Sequence, residues 1–107
     1  MTGVQTCALP ILKFGDLLLS LGKKYADANK YFERALLIAT ETDDKECEAL
    51  CYNCLGNLFQ TLGNYVKANE HYEKALFVAV EIGDRAVEAS TYVNLGSLCI
   101  QIGRAHV

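Results

Sequence analysis

The stretch KYADANKYFERALLIATETDD, residues 24–44, decides the fold, because it recurs 40 residues later as NYVKANEHYEKALFVAVEIGD, residues 64–84. The stretch that follows it, EALCYNCLGNLFQTLG (48–63), recurs in the same register as EASTYVNLGSLCIQIG (88–103). A third copy of this second half, FGDLLLSLG (14–22), is offset by 41 residues. Self-similarity at a fixed period of this length indicates a stack of repeated supersecondary units.

Each half of the repeat has the spacing of an amphipathic helix. Residues on one side recur at steps of three and four, at Tyr65, Ala68, Tyr72, Ala75, Leu76 and Ala79. Such steps place side chains on one helix face. Gly63-Asn64 and Gly83-Asp84 separate the halves, a pairing typical of a helix end beside a helix start. We therefore expect units of two antiparallel helices. The five predicted helices lie near 8–21, 25–42, 45–62, 65–82 and 85–101.

The recurring residues resemble the tetratricopeptide-repeat pattern W-x2-L-G-x2-Y…Y-x2-A-x3-F-x2-A. Eight positions match, namely Tyr52, Leu55, Gly56, Phe59, Tyr65, Ala68, Tyr72 and Ala75. The period of 40 exceeds the usual length of about 34 residues, and Val80 stands near the place of the family's closing proline. The longer unit is similar to that of Pins/LGN-type spindle adaptors and long animal tetratricopeptide-repeat scaffold proteins. The resemblance implies an all-α, right-handed superhelical solenoid of antiparallel helix pairs.

The first eleven residues match nothing further along the chain. MTGVQTCALPI (1–11) contains the sole proline and no charged residue. Back-translation of residues 1–11 resembles a common short-read sequencing adapter, and IGRAHV (102–107) resembles its opposite strand. We therefore expect both ends to be adapter-derived, and the natural sequence to continue in both directions from residues 12–101. The expected organisation is a first repeat over 12–44, a second over 45–84, and the first helix of a third over 85–101.

Composition narrows the classes of partner. The 107 residues carry a net charge of −3 and are 51% hydrophobic, which is typical of a soluble globular chain. No basic run or stripe is present, so nucleic acid and anionic membranes are not expected partners. No apolar stretch approaches the roughly 20 residues that span a bilayer, and no basic segment marks a secretory signal. We expect a cytoplasmic protein whose cysteines are reduced.

Three cysteines, Cys47, Cys51 and Cys54, form a C-x3-C-x2-C cluster, a spacing that suits an iron–sulfur centre. They also fall at i, i+4 and i+7 of a predicted helix. The corresponding positions in the next repeat are Val87, Thr91 and Asn94. Because the repeat does not require thiols there, we expect small buried hydrophobic side chains. A metal-binding or iron–sulfur protein remains the remote alternative.

No residue pattern predicts catalysis. His71 is the sole histidine of residues 12–101 and falls one step off the apolar face, where a solvated surface residue is expected. No serine or cysteine has a paired histidine and acid at a suggestive spacing. The glycines fall at helix ends and helix contacts, so no phosphate loop is expected. We expect no enzyme activity, no cofactor and no metal.

The resemblance implies a ligand groove walled by the first helix of each unit. It assigns to this wall Leu50, Asn53, Asn57, Gln60 and Thr61, then Ser90, Val93, Ser97, Ile100 and Gln101, with Asn94 beside them. The corresponding residues of the first repeat are Leu12, Asp16, Leu19 and Ser20. The predicted site consists of the polar members Asn53, Asn57, Gln60, Ser90, Asn94, Ser97 and Gln101. Side-chain amides suit this role because each offers donors and an acceptor to an extended peptide backbone.

The expected function is a non-catalytic protein–protein interaction module of a scaffold or adaptor. Its groove would bind extended peptides or partner helices, and adjacent repeats of the same natural chain would be further partners. The alternative is the docking array of a larger multidomain enzyme or signalling regulator.

Overall fold

The computed structural model describes residues 9–20 and 25–105, and every regular element within these ranges is an α-helix. The helices are α1 (Leu9–Ser20), α2 (Tyr25–Glu41), α3 (Lys45–Thr61), α4 (Tyr65–Ile82) and α5 (Arg85–Ala105). The prediction of an all-α helical repeat fold is confirmed. Among the described helices, none is both long and apolar enough to cross a membrane. Most of the unmatched segment 1–11 lies outside the described residues.

The last helix is longer than predicted. It continues to Ala105 instead of ending near residue 101. Ile102 lies four residues after Leu98, and both pack in the cluster that contains Tyr72. The apolar period of the helix therefore persists beyond residue 101.

Helix starts are fixed by side-chain caps that recur every 20 residues. Asp44, Asn64 and Asp84 each accept a hydrogen bond from the backbone N–H three positions later, at 3.1 to 3.2 Å. These bonds satisfy donors that the first turn of a helix leaves without a partner in the helix. The caps confirm the starts predicted for α4 and α5.

Helix ends use a left-handed backbone residue. Gly63 and Gly83 have φ angles of 83° and 72°, which glycine adopts without a Cβ clash. Asp43 takes the corresponding place after α2, with φ of 56°. An aspartate tolerates this conformation less well than glycine does, so the α2–α3 turn is the more strained of these joints.

The helices stack in chain order, and three buried clusters join them. Each helix packs against the next, and α3 also contacts α1 and α5. The largest cluster lies between α1, α2 and α3 and includes Phe32, Cys51 and Leu58. Two smaller clusters join α3, α4 and α5; one includes Val78 and the other Tyr72.

Within each helix pair, an aromatic ring lies against a glycine of the preceding helix. The fully buried ring of Phe32 lies so close to Gly15 that a Cβ there would be 2.8 Å from it. The buried ring of Tyr72 leaves still less room at Gly56. We call this arrangement a glycine socket. A third glycine at the same repeat position, Gly96, has no atom within 4 Å of its would-be Cβ among the described residues.

Alanine substitution should have opposite effects at the filled and open sockets. In Gly56→Ala the added methyl overlaps the Tyr72 ring, and we expect the free energy of unfolding to fall by about 1–2 kcal/mol. In Gly96→Ala the methyl meets no neighbour, so improved helix propensity should raise stability by up to about 1 kcal/mol. Urea unfolding followed by circular dichroism measures both. Equal effects of the two changes would contradict the packing account.

Candidate functional site along α3 and α5

The first helices of the repeats form one continuous wall. The central helix α3 has Cα atoms within 8 Å of both α1 and α5. By contrast, no Cα of α2 lies within 8 Å of a Cα of α4, and both helices are described over their full lengths. A cleft of about 660 Å³ lies between them, with Leu37 and His71 in its lining. Because the first helices approach one another more closely, the α1–α3–α5 wall is the inner side of the stack.

A hollow of about 300 Å³ opens on this wall between α3 and α5. Its lining is uncharged and polar throughout, and consists of Asn57, Gln60, Thr61, Asn94, Ser97 and Gln101. The fold thus brings together five of the seven residues predicted from the sequence. The other two lie apart from the hollow: Asn53 is buried and Ser90 is exposed.

A hydrogen-bonded network runs through the hollow from α4 to α5. The Tyr72 hydroxyl lies 2.5 Å from Asn57 Oδ1 and 2.8 Å from Gln60 Oε1, and the two amide oxygens share its single proton. Gln60 then donates from Nε2 to Gln101 Oε1 at 2.7 Å, with Ser97 Oγ at 3.5 Å. The amides are therefore held in fixed orientations, and Gln60 has both of its polar atoms engaged.

A second polar contact joins the same two helices deeper in the stack. Asn53 is 7% exposed and donates from Nδ2 to Thr91 Oγ1 at 2.9 Å. The Thr91 hydroxyl donates in turn to the Val87 carbonyl at 2.8 Å, and Asn94 Nδ2 donates to Asn53 Oδ1 at 3.2 Å. Burial and these bonds direct the Asn53 side chain toward α5 instead of an external ligand.

The repeat position of Asn53 explains why this residue is buried while the lining of the hollow is accessible. The equivalent residue in α1 is Leu12, which is 4% exposed and belongs to the largest buried cluster. The equivalent in α5 is Val93, which is 71% exposed. The structure therefore places Leu12 in the core and not in the groove assigned to it, because this position faces the neighbouring repeat. Val93 is exposed because no further helix covers it within the described residues.

The remaining wall positions divide by exposure. Asp16 and Thr61 are exposed, Leu50 is half-buried, and Ile100 is exposed beside Gln101. The side chains of Leu19 and Ser20 lie outside the described residues.

The hollow retains groups that can bind a ligand. Asn57 Nδ2 and Asn94 Oδ1 make no hydrogen bond within the described part of the chain, and the Ser97 hydroxyl is exposed. Donors and acceptors thus face the same space without any charge. This combination can pair with the N–H and C=O groups of an extended peptide backbone.

Two contributors could not be identified as site residues from the sequence. Thr91 occupies the position that Cys51 occupies in the preceding repeat. The one feature in the sequence that indicates a polar role is the hydroxyl group at this core position. The Tyr72 hydroxyl orients Asn57 and Gln60, whereas the sequence places Tyr72 only on the apolar face of its helix. Both act through contacts between helices, which local spacing does not specify.

The three cysteines lie along an unbroken helix. Cys47 and Cys51 are buried in the largest cluster, and Cys54 packs against it. No set of three side chains suited to hold a metal ion occurs within residues 9–20 and 25–105. Burial raises the pKa of the Cys51 thiol, and burial followed by the charge of Asp16 raises the pKa of Cys54 to about 12. This placement favours a packing role for the thiols.

His71 is less solvated than expected. The His71 ring stacks on Phe59, with centroids 5.2 Å apart, and Nδ1 lies 2.8 Å from the Lys67 carbonyl oxygen. His71 is half-buried because α4 packs over the aromatic face of α3. These contacts give it a structural place between the two helices.

We expect Asn53→Ala to destabilise the protein by about 1–3 kcal/mol, because the buried Thr91 hydroxyl and the half-buried Asn94 amide each lose their hydrogen bond to Asn53. Ser90→Ala, on an exposed position of the same wall, should change stability by less than about 0.5 kcal/mol. Thermal and urea unfolding of both variants provide the test. If Asn53→Ala left the free energy of unfolding unchanged, the buried amide would not hold α3 to α5.

The cysteines should differ in their rates of thiol alkylation. At pH 8 the raised pKa values keep Cys51 and Cys54 protonated, and the thiolate is the reactive form. Iodoacetamide should therefore label the exposed Cys99 at least about 100-fold faster than Cys51 and Cys54. Peptide mapping by mass spectrometry measures each site. Urea should equalise the rates, and rapid native labelling of Cys51 would contradict its burial.

Comparison with known proteins adds one finding to this geometry. A family model described as tetratricopeptide repeat matches residues 8–79 and, in an overlapping second match, residues 52–106. The two matches together span most of the chain. A search of curated proteins finds no match to it.

Proposed function

We propose that this chain, which belongs to the tetratricopeptide-repeat family, is a non-catalytic module that binds an extended peptide segment of a partner protein. Repeats of this family generally mediate protein–protein interaction. The proposed binding surface is the hollow between α3 and α5. The module would serve within a scaffold or adaptor, where recognition and not chemistry is required.

The observation that carries this proposal is the uniformly uncharged polar lining of the hollow. A wall that only needed solvation could carry charged side chains, as the outer faces of α2 and α4 do at Lys30, Glu33 and Glu73. The hollow instead presents amides and hydroxyls. Such groups match the alternating donors and acceptors of a peptide main chain.

The fixed geometry of the amides supports recognition. Tyr72 holds Asn57 and Gln60 from one side, and Gln101 holds Gln60 from the other. A ligand therefore meets side chains that have already lost much of their rotational freedom. This reduces the ordering penalty that peptide binding would otherwise carry.

The lining also predicts which forces contribute to affinity. Since no charged side chain among residues 9–20 and 25–105 borders the hollow, Coulomb attraction contributes little and salt has little to screen. We expect the affinity of a bound peptide to vary less than about threefold between 50 mM and 500 mM NaCl. A basic or acidic groove would instead lose affinity steeply with salt.

The test begins with selection of 12-residue peptides from a random phage library on the full chain. Fluorescence anisotropy then measures the dissociation constant of each selected peptide against wild type and against Ser97→Tyr, in which a bulky ring occupies the hollow. We expect Ser97→Tyr to weaken binding by at least about tenfold, because the ring displaces the peptide. The same salt series accompanies each titration.

Val66→Tyr provides the matched control. Val66 is exposed on α4 and does not line the hollow, so the same ring there should leave affinity unchanged. Peptides that bind wild type and both variants equally would refute the assignment of the hollow. Circular dichroism of both variants confirms that each retains the helical fold.

A further inference from the structure

We infer that the cleft between α2 and α4, on the outer side of the stack, binds an acidic amphipathic segment of a partner protein. An apolar side chain of that segment enters the cleft, and its carboxylates pair with basic side chains on both walls. This surface, the outer cleft, has in its lining Lys30, Glu33, Arg34, Leu37, Leu55 and His71. It shares no residue with the hollow between α3 and α5, so it is a second binding site.

The floor of the outer cleft is apolar and accessible. The cleft has a volume of about 660 Å³. Leu55 of α3 lies at its base and is 2% exposed, whereas Leu37 of α2 is 54% exposed on its wall. The three helices around the cleft are described over their full lengths, so the ends of the chain do not cause this exposure. An apolar side chain that covers Leu37 is favourable because it removes apolar surface from water.

Two cations stand on the α2 wall of the outer cleft. Lys30 and Arg34 are both exposed and both line the cleft. They are four residues apart, so they lie on the same helix face, where like charges repel each other. Glu33 is the one acidic residue that the described part of the chain contributes to the lining. The α2 wall therefore has an excess of positive charge.

A second pair of cations flanks the opposite wall, on α4. The Lys67 ammonium lies 5.3 Å from the centroid of the Phe59 ring, and the Lys74 ammonium lies 5.7 Å from that of the Tyr52 ring. The His71 ring lies next to both aromatic rings, with centroid distances of 5.2 Å to Phe59 and 6.3 Å to Tyr52. Because His71 lines the cleft, the two exposed lysines stand on either side of this wall.

The structure provides no acid to neutralise these four cations. Within residues 9–20 and 25–105, the ion pairs join Lys45 to Glu48 and Arg85 to Glu88. The four cations come from two helices, which is why the sequence contains no basic run. In a chain of net charge −3, unpaired cations on two facing walls favour an anionic ligand.

The repeat itself does not require basic residues on these walls. The equivalent of Lys30 in the following unit is Glu70, and the equivalent of Lys67 in the preceding unit is Asp27. The helix pair therefore accommodates either charge at these positions. Packing of the repeat does not account for the basic walls, whereas recognition of an acidic ligand does.

The combination of a recessed apolar floor and cations on two walls defines the class of ligand. A nucleic-acid backbone offers phosphates but no aliphatic group to cover Leu37. The broad surface of a bilayer does not reach Leu55 at the base of the cleft. An amphipathic peptide segment carries apolar side chains between several carboxylates, so it can contact the floor and both walls together.

A designed peptide provides the probe for this inference. It is a fluorescein-labelled 15-residue helix of alanine, leucine and glutamate, with its leucines on one face and its glutamates on the others. Anisotropy titration with the full chain should show saturable binding. The affinity should fall at least about tenfold between 50 mM and 500 mM NaCl, because salt screens exposed charges. Peptides with serine for every leucine, or lysine for every glutamate, should not bind.

Variants of exposed residues make the assignment specific. Lys30→Glu and Arg34→Glu should each weaken binding about 3- to 10-fold, because a repulsive charge replaces an attractive one. Leu37→Ser should weaken binding by a similar factor, because it removes the apolar contact. Lys13→Glu on α1 and Val66→Ser on α4 are the matched controls. Both residues are exposed and lie outside the lining, so the affinity should stay unchanged. Circular dichroism checks that each variant retains its helices.

Three outcomes would overturn the inference. The first is no saturable binding of the acidic peptide. The second is binding that neither the charge reversals nor Leu37→Ser weakens. The third is association with phosphatidylserine vesicles that Lys30→Glu abolishes, in the absence of peptide binding, which assigns the basic walls to a membrane. Ser97→Tyr, which blocks the hollow, should leave the affinity for the acidic peptide unchanged. Failure here is therefore distinguishable from failure of the proposed function.

Discussion

The contact between a ring and a glycine backbone is the constraint on which the rest of this structure depends. The Tyr72 ring occupies space beside Gly56 that any other residue would fill with its own Cβ. This sets the separation of α3 and α4 and carries the tyrosine hydroxyl to Asn57 and Gln60. Gln60 then reaches α5 through Gln101. One packing contact thereby fixes the polar wall as well as the helix pair.

In the proposed function, the wall formed by α3 and α5 holds the repeats together and also leaves polar groups available to a ligand. Asn53 serves only the first requirement, since it is buried between α3 and α5. Asn57 serves both, because its oxygen binds Tyr72 while its nitrogen has no partner among the described residues. Polar groups that bridge repeats are stable only when their partners are in place. The proposed binding surface is therefore a property of two adjacent repeats and of neither alone.

Several features were predictable because they follow from local spacing. Steps of three and four identified the helices, and Gly83-Asp84 identified an end beside a start. The predicted boundaries differ from the observed ones by at most one residue except at the end of α5, where Ile102 extends the apolar period. The hydroxyl of Tyr72 and the role of Thr91 were not predictable, because both depend on atoms of another helix.

The sequence by itself determined the five helices and their arrangement in antiparallel pairs, because both are encoded in spacings that repeat along the chain. Only the tertiary structure decided which amides face outward. Asn53 and Asn57 are the same residue type on the same helix, yet one is buried and the other borders the hollow. The physical reason is the neighbouring helix, which covers one position of α3 and leaves the next turn open.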